Sequence, residues 1–182
     1  PRQTCCGLPA LGNGDLDIAA RFAQENVREL GSWVDKGYKI LYACTSCGLT
    51  LAHDYPELLE IPGGRKVAEN TYNVHEFLSN AIEDGSLAVD FGPVDMHVAY
   101  HIPCHLRALG IGYPAARIFE KIPGLKFRIL DDDCCGLSWS YGFKKKNEKT
   151  SAQLGRIAGD AILATGARAL ASDCGACKMQ LA

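Results

Sequence analysis

The residues best able to do chemistry in this chain are its nine cysteines, and their spacing repeats. Cys5-Cys6-Gly7-Leu8 recurs as Cys134-Cys135-Gly136-Leu137, and Cys44-Thr45-Ser46-Cys47 recurs as Cys174-Gly175-Ala176-Cys177. The offset is 129 residues for the vicinal pair and 130 for the later pair, so one plan is written twice. A period that long belongs to a duplicated subdomain rather than to a solenoid. The second copy has one more thiol, Cys104, with 29 residues between it and Cys134.

Five thiols exceed the four that close a tetrahedral zinc site. Cys-x-x-Cys lets two sulfurs reach one metal around a tight turn. Side chains at adjacent positions diverge in regular structure, so Cys134 and Cys135 can both ligate only from an irregular loop or across a wider, multi-metal object. All-sulfur ligation selects iron–sulfur clusters, zinc or copper(I), and the fifth thiol tips the balance toward iron–sulfur, with structural zinc as the alternative. A redox dithiol at a helix N-terminus is the remaining reading of Cys-x-x-Cys, less economical for two copies that each carry a vicinal pair.

The elements that must hold these cysteines also repeat. From Asp15 as N-cap, Ala19, Phe22, Ala23, Leu30, Trp33 and Val34 recur at helical spacing until Gly37. In the second half Thr150-Ser151-Ala152-Gln153 has the form of a capping box, and Leu154, Ile157, Ala158, Ala161 and Ile162 make an apolar stripe ended by Gly166. Short apolar runs at 38–43 before Cys44 and 167–172 before Cys174 read as strands, and 98–102 before Cys104 and 125–130 before Cys134 give two more strand-then-cysteine junctions. The runs at 38–43 and 167–172 read as buried. Further helices are expected over 72–82 and 113–121.

Strands alternating with helices predict an α/β fold of two duplicated subdomains with largely parallel sheets, divided as residues 1–92 and 93–182. Loops at the carboxyl ends of parallel strands gather on one edge, where ligands bind, and all four junctions place cysteine there. Helices starting just after the cysteines would aim free N–H groups at thiolates and at an anionic cluster.

Composition sets the outer limits. The 182 residues are 47% hydrophobic, enough to bury a core, and 19 basic against 21 acidic side chains leave a charge near −2. No basic footprint for nucleic acid or an anionic membrane follows. The longest uncharged stretch in the most apolar region, 40–52, is 13 residues, below the roughly 18 of a membrane span. An odd number of cysteines in a chain this large argues for reduced thiols in a cytoplasm rather than a disulfide framework. The chain opens at Pro1 without a signal-peptide pattern and reads as a piece of a longer protein.

The long pattern Cys104, Cys134-Cys135-Gly136, Cys174-x-x-Cys177, with its clipped first copy, resembles the CCG cysteine-rich domain family, found twice in the B subunit of heterodisulfide reductase and in related electron-transfer subunits. Within that family His101-Ile102-Pro103-Cys104-His105, Tyr141-Gly142-Phe143-Lys144-Lys145 and Thr150-Ser151 are most similar to the C-subunit type of anaerobic glycerol-3-phosphate dehydrogenases. The resemblance implies a non-catalytic iron–sulfur subunit that relays electrons from flavin-containing dehydrogenase subunits toward the quinone pool. It implies [4Fe–4S] clusters of the non-cubane kind, and membrane or quinone contact only through other parts or chains. The place implied is cytoplasmic, peripheral on the inner face of the cytoplasmic membrane. Disulfide cleavage at the cluster, as in heterodisulfide reductase, is the alternative, and a structural zinc-binding interaction domain is a third.

Carried over by position, the complete ligand set is Cys104, Cys134, Cys135, Cys174 and Cys177, while the first copy offers Cys5, Cys6, Cys44 and Cys47. The counterpart of Cys104 would precede Pro1. The chain departs from the C-subunit type in showing no ferredoxin-like Cys-x-x-Cys-x-x-Cys run, and it stops five residues after Cys177, so truncation at both ends is expected.

Other residues invite a role. His101 and His105 bracket Cys104 as replacement ligands or hydrogen-bond partners of a sulfur, though simple loop packing is the favoured reading. Lys144, Lys145 and Lys146 read as a solvated run rather than a docking patch. Asp131, Asp132 and Asp133 sit awkwardly before an anionic site, and His53, His75 and His97 read as packing or surface residues.

Overall fold

A computed structural model describes residues 1–131 and 133–182. Asp132, one of the three acidic residues singled out above, lies outside the described residues. The chain is α/β, and it divides into two compact units, Pro1–Val74 and His75–Ala182.

The first unit runs α1 (Leu8–Leu11), α2 (Leu16–Val34), β1 (Ile40–Tyr42), α3 (Thr45–Leu49), a π-helix (Thr50–Leu58), α4 (Gly64–Ala68) and β2 (Thr71–Asn73). Asp15 caps α2 as expected, its carboxylate accepting the Ile18 N–H at 3.1 Å. The buried face of α2 carries Ala19, Ala23, Val27 and Leu30, of which the last three pack with Leu8, Leu51, Tyr55, Ile61 and Val67. Pro56 stands inside the π-helix, where it has no N–H to give to the ordinary α-helical ladder. Strands β1 and β2 pair in parallel with Ile40 opposite Thr71 and Tyr42 opposite Asn73. The helix expected from residue 72 starts at Val74, and Tyr72 and Asn73 are strand; three residues are too few for a periodic signal, and pairing with β1 decides them.

The second unit takes α5 (Val74–Glu83) from His75 onward, then β3 (Met96–His101), α6 (Cys104–Leu109), α7 (Pro114–Phe119), β4 (Leu125–Leu130), a 3₁₀ turn (Lys145–Asn147), α8 (Glu148–Ala164), β5 (Ala169–Ala171) and α9 (Gly175–Leu181). Its sheet is parallel throughout, in the order β4-β3-β5, with Met96 opposite Leu125, His101 opposite Leu130 and Val98 opposite Ala169. Tyr100, Ile102, Leu106, Ala115 and Ala116 form the core on one side of it.

Three local expectations change. The helix α8 begins at Glu148, so Thr150 lies inside its first turn and makes no capping box; the 3₁₀ turn through the exposed Lys145 and Lys146 feeds directly into it. The buried face of α8 runs through Ser151 and Ala158, while Leu154 and Ile157 of the expected stripe are exposed. The two short strands are less buried than expected, since β5 is half-buried and Leu41 of β1 is exposed.

Candidate metal centre

Each strand that precedes a cysteine delivers it at the strand's carboxyl end. Cys44 follows β1 and Cys174 follows β5, and both stand in extended backbone as the residue before a short helix, α3 or α9. Cys104 opens α6 after β3, and Cys134 and Cys135 sit in the loop after β4.

The vicinal pairs are set by the glycine that follows them. Gly7 and Gly136 adopt φ of +91° and +88°, a conformation that only glycine takes without strain. A Cβ on Gly136 would stand 2.5 Å from the Ser151 carbonyl oxygen and 2.9 Å from the Leu154 Cβ, and one on Gly7 would stand 3.3 Å from the Ala19 oxygen. Each turn therefore lies flat on a long helix, α8 or α2, and the following leucine, Leu137 or Leu8, is buried. Local geometry repeats along with the cysteines.

In the second unit the five predicted sulfurs come together as a row. Cys104 contacts Cys134, Cys134 contacts Cys135, Cys135 contacts Cys177, and Cys177 contacts Cys174. Cys135, Cys174 and Cys177 are buried with Leu137, while Cys104 and Cys134 are half-buried. None of the nine cysteines is in a disulfide. Among the described residues no three His, Cys, Asp or Glu side chains close around a single point as one bound ion would need.

The row is electrostatically uneven. Cys134 is held well below the ordinary thiol value because the Cys104 and Cys135 thiols donate to its sulfur, helped by the Gly136 N–H at 3.4 Å. Cys104 is pushed up by that same bond to Cys134 and then by burial. Cys135 is raised by its bond to Cys134, and Cys177 is raised by its bonds to Cys135 and Cys174.

The first unit assembles Cys5, Cys6, Cys47 and Cys44 in a similar row. Cys47 is raised by its bonds to Cys44 and Cys6, while Cys6 is lowered to about 7, with the Cys47 thiol as the largest cause. A cavity of about 760 Å³ opens beside Cys6, Cys44 and Cys47 and is walled by Asn26, Leu30 and Leu51. A set of four or five soft donors at one sheet edge, free of disulfides, fits an iron–sulfur group in each unit.

Several supporting residues escaped the sequence reading. Asn26, buried on the apolar face of α2, donates to the Cys5 carbonyl and to the Tyr55 hydroxyl, both at 2.9 Å, and accepts the Thr4 N–H at 2.8 Å. Tyr55 of the π-helix in turn donates to the Cys6 carbonyl at 2.9 Å, so both carbonyls of the vicinal pair are held. An amide among Ala23, Val27 and Leu30 was the available signal. In the second unit Asp173, 6% exposed and adjacent to Cys174, accepts from the Tyr100 hydroxyl and pairs with His75 Nδ1 at 2.8 Å. His75 therefore supports the cysteine turn, which its isolated position in the sequence did not reveal.

The flanking residues now separate. Asp131 is taken up by Arg107, whose guanidinium lies 3.3 Å from its carboxylate, and by the Tyr113 hydroxyl, which donates to it. His105 stacks on Trp139 and accepts its indole N–H at 2.7 Å. His101, by contrast, is 2% exposed, burial lowers its pKa, and its Nε2 is buried with no hydrogen-bond partner. Among the described residues no helix is long and apolar enough to cross a membrane.

The family model described as the CCG cysteine-rich domain matches residues 1–52 and 98–182, which include all nine cysteines. The chain is 31% identical to the C subunit of anaerobic glycerol-3-phosphate dehydrogenase of Escherichia coli (strain K12), over 99% of this chain and 45% of that relative. It is 30% identical to an iron–sulfur protein of Methanococcus maripaludis, over 98% of this chain and 33% of that relative. It is 29% identical to a dihydromethanophenazine:CoB–CoM heterodisulfide reductase component, the D chain of the enzyme from Methanosarcina barkeri, over 98% of this chain and 44% of that relative. The chain spans less than half the length of each.

Proposed function

Because the chain belongs to the CCG cysteine-rich domain family, we propose that it is an iron–sulfur electron-transfer module of an oxidoreductase complex. Its two repeats, 1–92 and 93–182, each hold a site. Cys104, Cys134, Cys135, Cys174 and Cys177 are the ligands of a [4Fe–4S] cluster of the non-cubane kind, and Cys5, Cys6, Cys44 and Cys47 are the ligands of the other. The observation that carries this reading is the row of five sulfurs gathered at the carboxyl ends of parallel strands.

A bound cluster supplies one-electron exchange. The chain's own part is to present deprotonated sulfur in fixed positions, to wall the site with Leu137 and the cysteine turns, and to keep the acidic Asp131 occupied by Arg107 and Tyr113. The similarity to the glycerol-3-phosphate dehydrogenase subunit supports a complex in which electrons come from flavin-containing dehydrogenase subunits and leave toward the quinone pool. Such a complex sits at the inner face of the cytoplasmic membrane, with quinone contact made by other parts or chains.

Anaerobic reconstitution with iron and sulfide, followed by metal analysis and EPR, tests the assignment. Iron and sulfide bound together, with loss of the second-unit signal in Cys174→Ser, is the expected result. Stoichiometric zinc without iron after anaerobic preparation overturns it. The similarity to a heterodisulfide reductase component supports a second reading, disulfide cleavage at the cluster. Disulfide-reductase turnover that requires Cys134 and Cys135 distinguishes it from relay.

A further inference from the structure

Beyond the cysteine rows, the last residue of β3 has chemistry to spare. His101 is buried to 2% exposure, and its Nε2 has no hydrogen-bond partner. Buried polar atoms are nearly always paired, because leaving one unpaired forfeits the hydrogen bond that it would make in water. The other histidine beside Cys104 differs in this respect, since His105 is engaged by Trp139. An imidazole placed only to fill space would do better as an apolar ring.

The surroundings of His101 name the partner. It lies opposite Leu130 in the β3–β4 register, three residues before Cys104 and next to the strand that runs into Cys134. Cys134 and His101 interact electrostatically, each altering the other's charge state. The cations and anions that face the ring are Arg107, Asp131, Asp133 and Cys134. Arg107 and Asp131 are already bonded to each other. Of the two acceptors left, Cys134 acts on the ring more strongly than Asp133 does, which points to sulfur as the partner, either the Cys134 thiolate or the inorganic sulfide of a cluster beside it.

We infer that His101 Nε2 is a fixed N–H donor to the sulfur of the second-unit cluster, placed to stabilise its more negatively charged, reduced form. This rests on the iron–sulfur reading above. A neutral imidazole carries one N–H, and donation to a sulfur draws charge from the cluster without taking an iron position. Reduction adds negative charge, so the bond strengthens on reduction and the potential rises.

The test uses the anaerobically reconstituted chain labelled with ¹⁵N-histidine. Iron and sulfide are analysed first: a wild-type chain that binds neither defeats the iron–sulfur reading and this inference with it. With iron bound, pulsed EPR of the paramagnetic cluster is expected to show a weak histidine-nitrogen coupling that His101→Leu abolishes at unchanged iron content. Potentiometric titration is expected to show the reduced fraction of His101→Leu lowered about tenfold at a fixed potential. That is about 59 mV for one electron and about the effect of one hydrogen bond to a charged acceptor. His101→Gln, which keeps an N–H, is expected to recover most of the potential. Unchanged potential and coupling in a fully iron-loaded His101→Leu overturn the inference while leaving the cluster in place. The strong coupling of a directly ligated nitrogen overturns the donor role in favour of ligation. Should His101→Leu not fold, absence of any histidine-nitrogen coupling in the wild-type chain overturns it equally.

Discussion

Asn26 holds the Cys5 carbonyl, the Thr4 N–H and the Tyr55 hydroxyl at once, so its removal strands several buried groups together. Asn26→Ala is expected to destabilise the first unit by ~2 kcal/mol, read by urea unfolding, and to lower iron uptake there more than Ala23→Gly of similar cost. The paired glycines make a graded prediction. Ala at 136 meets a backbone oxygen at 2.5 Å with φ at +88°, whereas Ala at 7 meets one at 3.3 Å. Gly136→Ala should therefore cost ~3 kcal/mol and Gly7→Ala roughly half of that, both by thermal unfolding. At this scale the sequence was highly legible for sulfur, because thiols in a fixed spacing have few other uses. It was poorly legible for Asn26, Tyr55 and Asp173, whose partners are distant in sequence and whose types are common. Nothing in a string of letters marks His101 as the histidine left without a partner while His105 is taken.

Elements divide along similar lines. Strand β4 has the expected bounds, Leu125–Leu130, because Lys126 and Arg128 alternate with apolar residues between Gly124 and the aspartates, which gives clear edges. Helix α2 is bounded by a true cap and a left-handed glycine three residues beyond its end. The failures are elements decided by tertiary pairing. Strand β2 exists only because β1 lies beside it, and the buried face of α8 is chosen by the Gly136 turn, which lies against the backbone of Ser151 and the Cβ of Leu154. Asp173 ties the turn after β5 to Tyr100 in the middle of β3 and to His75 of α5. Asp173→Ala should destabilise the second unit by roughly 2 kcal/mol and speed amide exchange in β5 and at the start of α9 before it does so in β4. Equal acceleration across all three strands would show that the carboxylate is not a local tie.

For the whole molecule, each cysteine row is built from residues of its own unit. Cys47→Ser should remove the cluster signal of the first unit and leave the EPR of the second unchanged, and Cys177→Ser should do the reverse, as read by iron per chain and spectra of the paired variants. Loss of both signals from either substitution would mean a site shared between the repeats. The cysteine spacing repeats in the sequence because its offsets stay within a residue of each other, and the parallel sheets follow from the strand–helix alternation.

The register of β3 on β4 carries a consequence for assembly. His101 stands opposite Leu130, with Cys104 three residues beyond one and Cys134 four beyond the other. A slip of one residue would slide the two thiols past each other by ~3.3 Å, more than a bond to iron can stretch to absorb. The ladder of backbone amides thus works as a gauge, setting the bite of the site before any iron arrives. A chain that zips its strands out of step would also turn Phe127 and Ile129 away from Tyr100 and Leu106, so packing enforces the same spacing.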